Sequence, residues 1–335
     1  MKRSVIKSTG RYLPSRHVTN EELTGMFDSS NEWIVQRTGI EARYWVGEDE
    51  NIGTSDLGYE AAIIALERAN WKPEELDLIV FAAMTPDMNV PGSGAFLQNR
   101  LGAKMVPALD IRQQCTGFLH GMEVCDAYIR SEKARKILLV GAEYQSRYLE
   151  LTTENRDTAV IFADGAGAVC IEAVETDEDI GIITSILHAD GKYSGALHVG
   201  LPARKSGHII SPSVIKNKEY LPYMDGKAVF KLAVTRLPKV ANELLAKANL
   251  KIEDLDMVLP HQANLRINDA FRDRMKIPKE KMYNNIQRYG NTTAATIPIA
   301  LDELMEKNML KSKDTIMFIG LGAGLTWGGV IYKLM

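Results

Sequence analysis

A chain of 335 residues, 45% hydrophobic and 25% charged, has the composition of a soluble globular protein with room for two domains' worth of core or one large α/β unit. A formal net charge of −3 and a pI near 6.1 argue against a nucleic-acid binder, whose surface is normally strongly basic. No stretch approaches the ~18 consecutive apolar residues of a membrane span. The opening MKRSVIKSTG is basic but lacks the apolar run of a signal peptide, so none is expected. Three cysteines, Cys115, Cys125 and Cys170, occur without C-x-x-C spacing. That pattern fits reduced thiols in a cytoplasmic protein and no disulfide or zinc framework.

In chain order, DLGYEAAIIALER (56–68) is patterned as a helix and is followed by ANWKPEELD (69–77) and the strand-like LIVFAA. VPALDIRQQCTGFLHGMEVCDAYIR (106–130) reads as a strand, a polar turn, and a helix opening at Cys115, with Phe118, Met122, Cys125 and Ile129 on one buried face. KILLVGAE (136–143) is a short continuous apolar run, typical of a strand buried on both faces. Further on, Phe230, Ala233, Val234, Leu237, Ala241 and Leu244 keep the rhythm of one helix face, which Pro238 is expected to kink. ANLKIEDLD (248–256), the strand-like MVLP, the polar LPHQANLRIN (259–268), YGNTTAAT (289–296), the helical IPIALDELME and the strand-like TIMFIGLG (315–322) complete the chain. Alternating β and α elements predict a layered α/β architecture.

The chain also resembles itself. ANWKPEELD and ANLKIEDLD agree at six of nine positions, each between a helix pattern and a strand-like run, at an offset of 179 residues. The same offset places KILLVGAE on TIMFIGLG and Gly141 on Gly320. Two similarly folded halves are therefore expected, 1–178 and 179–335, meeting near VETDEDIG.

A cysteine at a helix N-terminus sits where the helix dipole favours thiolate, as a nucleophile requires. The alternative is a small buried residue, the reading that suits Cys125 and Cys170. His120 lies five residues after Cys115, about 140° around a helix, and reads as structural. His261 at a strand exit, Asn291 after a glycine, and the Gly-rich turn GLGAGLTWGG (320–329) are weak signals singly. Together with Cys115 they offer one thiol and two neutral donors, which is no metal site.

Five ordered motifs, SNEWIVQRTGI (30–40), DxxxxCTGF, HQANLRI, YGNTTAAT and GLGAGLTWG, resemble β-ketoacyl-acyl-carrier-protein synthase III, a condensing enzyme of the thiolase superfamily. The resemblance runs from about residue 5 to the C-terminus. It implies a thiolase-like five-layered αβαβα sandwich built from two similar halves, and a homodimer. Cys115 would take the acyl group from an acyl-CoA substrate. His261 and Asn291 would stabilise the enolate formed when malonyl-acyl carrier protein loses CO₂. The backbone N–H groups of Cys115 and Ala323 would form the oxyanion hole. Trp33, Arg37 and Arg156 match positions that hold the CoA nucleotide, and Asn264 a pantetheine contact. Lys227, Lys231 and Arg266 match the surface that docks acyl carrier protein. Val90 matches a position bounding the acyl pocket from the dimer partner, and a valine there leaves space for a primer longer than acetyl. No metal and no bound cofactor are implied.

The sequence departs from that pattern at Arg112, Gln113 and Gln114, where the family usually has small residues, and at Ala323, which replaces a glycine. The residues also allow packing roles for Trp33 and a solvated face for the lysines. A thiolase would need a second cysteine after Cys170, and an elongating ketosynthase a histidine where Asn291 stands. An enzyme of a specialised pathway with another acceptor, a cysteine-dependent thioesterase and a non-catalytic acyl-carrier-binding protein remain as alternatives.

Overall fold

The computed structural model describes residues 1–200 and 212–335. The first half opens with β1 (Lys2–Tyr12), then β2 (Arg16–Thr19), α1 (Asn20–Thr24), α2 (Asn31–Thr38) and β3 (Ala42–Trp45). It continues through α3 (Thr54–Ala69), β4 (Leu78–Ala82), α4 (Ser93–Leu101), β5 (Ala108–Ile111), α5 (Gly117–Arg130), β6 (Lys136–Glu143), α6 (Arg156–Ala159) and β7 (Gly165–Glu175). The second half runs β8 (Gly181–Ala189), β9 (Leu197–Val199), α7 (Pro212–Lys216), β10 (Pro222–Met224), α8 (Gly226–Ala248) and β11 (Met257–Pro260). It closes with α9 (Leu265–Met275), α10 (Ile286–Tyr289), α11 (Thr296–Glu306), β12 (Thr315–Gly322) and β13 (Thr326–Lys333).

Two mixed sheets form. The first has the order β1-β7-β6-β4-β5, with all its strands drawn from residues 2–175; the second has the order β11-β12-β13-β8, from residues 181–333, while β2 pairs with β3 and β9 with β10 apart from them. Within them β4 and β6 run parallel with Leu78 opposite Ile137, and β11 and β12 run parallel with Met257 opposite Ile316, the same pairing displaced by 179 residues. The two nine-residue repeats fold alike. Asn70 and Asn249 end their helices in the left-handed conformation, and Glu75 and Asp254 accept from the backbone N–H of Lys72 and Lys251.

Helices α5 and α11 pack between the sheets, α3 and α4 cover the first sheet from outside, and α8 and α9 cover the second, giving five layers, αβαβα. The central layer is apolar on both sides, with Phe118, Met122, Ile297 and Leu301 packed among strand residues such as Leu139, Val169, Phe318 and Val330. Pro238 does not break its helix: α8 runs without interruption from Gly226 to Ala248, and its buried face packs on β13 and β8. Cys115 falls two residues before the helix that was expected to open with it. Gln114–Thr116 form a 3₁₀ turn, Gln114 has φ +45°, and α5 itself begins at Gly117.

Candidate active site

Each functional side chain is positioned by a strand end or a helix start. The turn carrying Cys115 ends against β12, where a Cβ on Gly322 would stand 2.9 Å from the Cys115 Cβ and 3.1 Å from its backbone nitrogen. Only a glycine allows that approach. Two residues earlier on β12, a Cβ on Gly320 would lie 3.1 Å from the His261 Cβ. Two strand residues span about 7 Å, so β12 brings the Cys115 and His261 backbones to neighbouring positions on one face. His261 follows β11 directly, and its backbone N–H donates to Ile319 O at 2.7 Å. Asn291 is anchored from the first half, donating its N–H to Ile161 O and accepting from Ala163 N–H.

The hydrogen bonds leave donors free where the chemistry needs them. The Asn291 Oδ1 accepts from the Thr293 N–H at 2.8 Å, so its amide NH₂ is the uncommitted end. His261 Nδ1 lies 2.6 Å from Thr296 Oγ1, while Nε2 is buried without a partner. The Thr296 hydroxyl has one proton and two acceptors in reach, Nδ1 and, at 3.1 Å, Thr293 O. The first contact runs in either direction; the tautomer that the proposed chemistry uses has the hydroxyl turned to Nδ1, which makes Nδ1 the acceptor and Nε2 an N–H donor. Burial drives the His261 pKa down to about 3, so the ring is neutral at ordinary pH.

The thiol departs from expectation. Burial, reinforced by the charge of Glu143, pushes the Cys115 pKa up to about 12, although the Ala323 and Cys115 backbone N–H groups pull it the other way. The helix start does not yield a resting thiolate, because complete burial outweighs two backbone donors. Those donors nevertheless converge on the sulfur, the arrangement of an oxyanion hole. Glu143 is itself buried and raised to about 7, and its carboxylate accepts from Met84 N–H, Thr85 N–H and the Thr85 hydroxyl.

Cys115, His261 and Asn291 line one cavity of about 820 Å³, together with Trp33, Arg37, Asn264, Lys227 and Arg266. Lys227 and Arg266 are exposed and the triad is buried, so the cavity leads from the surface inward. Ser30 caps α2 through the Trp33 N–H, and Gly39, at φ +78°, ends that helix, which places Trp33 and Arg37 one turn apart. Two guanidinium groups lie against the Trp33 ring, with the Arg37 and Arg156 guanidinium carbons 4.5 and 4.8 Å from its centroid. Asn264 caps α9 by accepting from Arg266 N–H and donates to Arg37 O, which leaves one donor and one acceptor site free. Lys231 is exposed one helical turn beyond Lys227 and does not line the cavity. Val90 is 80% exposed and lines neither of the two cavities that border Cys115. His120 bonds Thr116 O through Nδ1, and Cys125 and Cys170 are buried free thiols.

Family models described as 3-oxoacyl-[acyl-carrier-protein] synthase III match residues 109–191 and, for its C-terminal part, 245–334. The β-ketoacyl-[acyl-carrier-protein] synthase III of Fusobacterium nucleatum is 42% identical over 328 residues, covering 98% of both chains. The chain belongs to the 3-oxoacyl-[acyl-carrier-protein] synthase III family. A synthase III of Caldanaerobacter subterraneus is 41% identical over 98% of this chain and 97% of its own. The crystal structure of 3-oxoacyl-[acyl-carrier-protein] synthase III from Aquifex aeolicus superposes with a TM-score of 0.89 at 38% identity, covering 98% of this chain and 99% of that one. Within this synthase III chain, Thr296, Thr293, Glu143 and Gly322 are site residues that motif reading did not single out. Thr293 and Thr296 stand in the quoted YGNTTAAT, and the 179-residue offset pairs Glu143 with Gly322.

Proposed function

We propose that this synthase III catalyses the decarboxylative Claisen condensation of an acyl-CoA primer with malonyl-acyl carrier protein, the initiating step of fatty acid synthesis, through an acyl-cysteine. The observation that carries the assignment is a thiol met by two backbone donors at the wall of the cavity into which His261 and Asn291 bring their free side-chain ends. Cys115 Sγ bonds the acyl carbon as the bond to the CoA sulfur breaks, and the thiol proton leaves with CoA. Malonyl carrier protein then loses CO₂, and the electron pair of the broken C–C bond becomes an enolate. Its oxygen receives Nε2–H of His261 and the Asn291 amide. The enolate carbon attacks the acyl-cysteine, the oxyanion sits on the Cys115 and Ala323 N–H groups, and collapse releases 3-oxoacyl carrier protein. The cysteine thiolate regains a proton from solvent. Each oxyanion donor of this kind contributes about 2.7–4 kcal/mol in the transition state. Both developing oxyanions are held by protein N–H donors, so the proposed scheme routes no step through a metal or a bound cofactor.

Trp33, Arg37 and Arg156 suit the nucleotide of CoA by stacking and phosphate pairing. Exposed Lys227, Lys231 and Arg266 beside the cavity mouth suit an acidic carrier protein. A homodimer through β5 is supported by the exposure of that edge strand and of Val90, Met88, Met105 and Leu109 near it. No helix among the described residues is long and apolar enough to cross a membrane. Free buried cysteines agree with a cytoplasmic site of action. The specialised-pathway alternative is not favoured: a priming β-ketosynthase from a polyketide pathway is 32% identical, below the full-length relatives at 41–42%.

Intact-mass spectrometry after mixing with acyl-CoA tests the reading. An acyl adduct on Cys115 that is lost in Cys115→Ala, and converted to 3-oxoacyl product only when malonyl carrier protein is added, is expected. Hydrolysis of acyl-CoA without malonyl carrier protein, or no adduct, would contradict it.

A further inference from the structure

The turn that carries the nucleophile and the hairpin facing it meet at a second point besides Cys115. Thr116, the next residue, and Thr326 bring their hydroxyl oxygens to 2.8 Å, across 210 residues of sequence. Both residues are buried. Gly322 and Thr326 stand opposite each other where β12 and β13 leave the turn that contains Ala323. Two successive residues of one turn therefore dock on the two facing residues at the base of the other. Resting on the proposed function, we infer that Thr116 and Thr326 are positioning residues for the oxyanion hole: their hydroxyl bridge holds the Cys115 and Ala323 N–H groups, which come from different halves of the chain, at one separation.

The approach of Cys115 to Gly322 is a packing contact, about which the two turns can still pivot. A hydrogen bond at the neighbouring residue removes that freedom, because its distance and its angle are both restricted. The restriction matters here, since oxyanion donors work only when they stand about 2.7–3.1 Å from the place where charge develops. One donor rides on each turn, so a rotation of either turn moves it off target.

Two hydroxyl protons serve three contacts. Thr116 Oγ1 lies 2.9 Å from Gln113 O, Thr326 Oγ1 lies 3.2 Å from Ala323 O, and 2.8 Å separates the pair. The bridge takes one proton and one carbonyl takes the other, in either order. With either threonine replaced by valine, of nearly the same shape, the remaining hydroxyl turns its proton to the carbonyl of its own turn. No buried donor is left without an acceptor, so the fold is spared the usual cost of such a change. The outer side of the hairpin turn is held independently. Asp190 and Leu325 exchange two backbone hydrogen bonds, of 2.8 and 3.2 Å, and Arg236 donates to the Asp190 carboxylate. Loss of the bridge therefore loosens the two turns against each other and leaves each of them formed.

The test is a double-mutant cycle read on two half-reactions. The full-length parent, Thr116→Val, Thr326→Val and the double variant are mixed with acetyl-CoA or octanoyl-CoA, whichever acylates the parent faster. Release of CO₂ from malonyl carrier protein without primer is measured alongside. Each single substitution should lower the acylation rate constant at saturating acyl-CoA about tenfold, the worth of one hydrogen bond, with the half-saturating concentration within about twofold. CO₂ release, which draws on His261 and Asn291, should stay within about twofold, and thermal unfolding close to the parent. The double variant should acylate no more slowly than the slower single one, because both substitutions break the same bond. Thr326→Ser, which keeps the hydroxyl, should acylate within about threefold of the parent. Acylation at the parental rate in either single valine variant, losses that multiply in the double variant, or an equal loss of CO₂ release overturns the inference and leaves the proposed function standing. A parent that forms no adduct with either acyl-CoA overturns the proposed function itself.

Discussion

The two halves place the same strand end against the same helix start and do different things there. In the first half β6 ends with Gly141 and Glu143; the 179-residue offset puts Gly320 and Gly322 at the end of β12. Each strand end meets the turn before the other half's central helix. Gly141 abuts Ala294 ahead of α11, where a Cβ would come 2.6 Å from its carbonyl oxygen, and Glu143 accepts from the Ala294 N–H. Gly322 abuts Cys115 ahead of α5, and the Ala323 N–H donates to the sulfur. One junction uses a buried carboxylate to fasten backbone. The other removes the side chain, admits the nucleophile and supplies a donor to it. A duplicated architecture therefore provides two equivalent crossings, and the chemistry occupies the one in which the strand gave up its side chain.

Giving β12 a side chain at that crossing should have the largest effect. Gly322→Ala forces Cys115 or the strand to shift, and a displacement near 1 Å costs roughly 10²-fold in rate. Acyl loading should fall by that order while circular dichroism and thermal unfolding remain close to the parent; an unaffected loading rate would mean that the close approach does not position the thiol. A smaller loss is expected from Thr296→Val, which removes the hydroxyl that fixes the His261 tautomer. Decarboxylation should drop about tenfold, the worth of one such hydrogen bond, with loading unaltered. Equal loss of both activities would speak against the tautomer assignment.

The counterpart crossing is read through stability. Burial raises Glu143 from 4.5 to about 7, so the folded protein keeps a proton that the unfolded chain releases across that window. The stabilisation is complete below pH 4.5 and is lost as pH rises through 7. Glu143→Gln removes this dependence. Relative to the parent, the variant should gain on the order of 2–3 kcal/mol between pH 4.5 and 8 in denaturant unfolding. Parallel stability curves would place the proton elsewhere.

Much of this was legible in the sequence because duplication and motif are both local signals. The offset located the paired strands β4–β6 and β11–β12, and the motifs supplied Cys115, His261, Asn291, Trp33, Arg37 and Asn264, all of which line one cavity. What escaped depends on long-range packing. The protonation of Cys115 is decided by burial and by Glu143, 28 residues along the chain, and not by its own helix start. Pro238, expected to interrupt α8, lies inside a helix that stays continuous from Gly226 to Ala248 and packs on β13 and β8. The second cavity at Cys115 is assembled from segments near residues 84–89, 194–199 and 323–324, which only the fold brings together.

The central claim is that the second half's donors serve decarboxylation while the first half's thiol serves loading. Its most direct test is Asn291→Ala and His261→Ala protein assayed side by side for Cys115 acylation and for release of labelled CO₂ from malonyl carrier protein. The account predicts CO₂ release lowered at least 10²-fold by either substitution, with acylation within about tenfold of the parent. Release of CO₂ at the parental rate, or acylation lost in proportion to it, would contradict that division of labour.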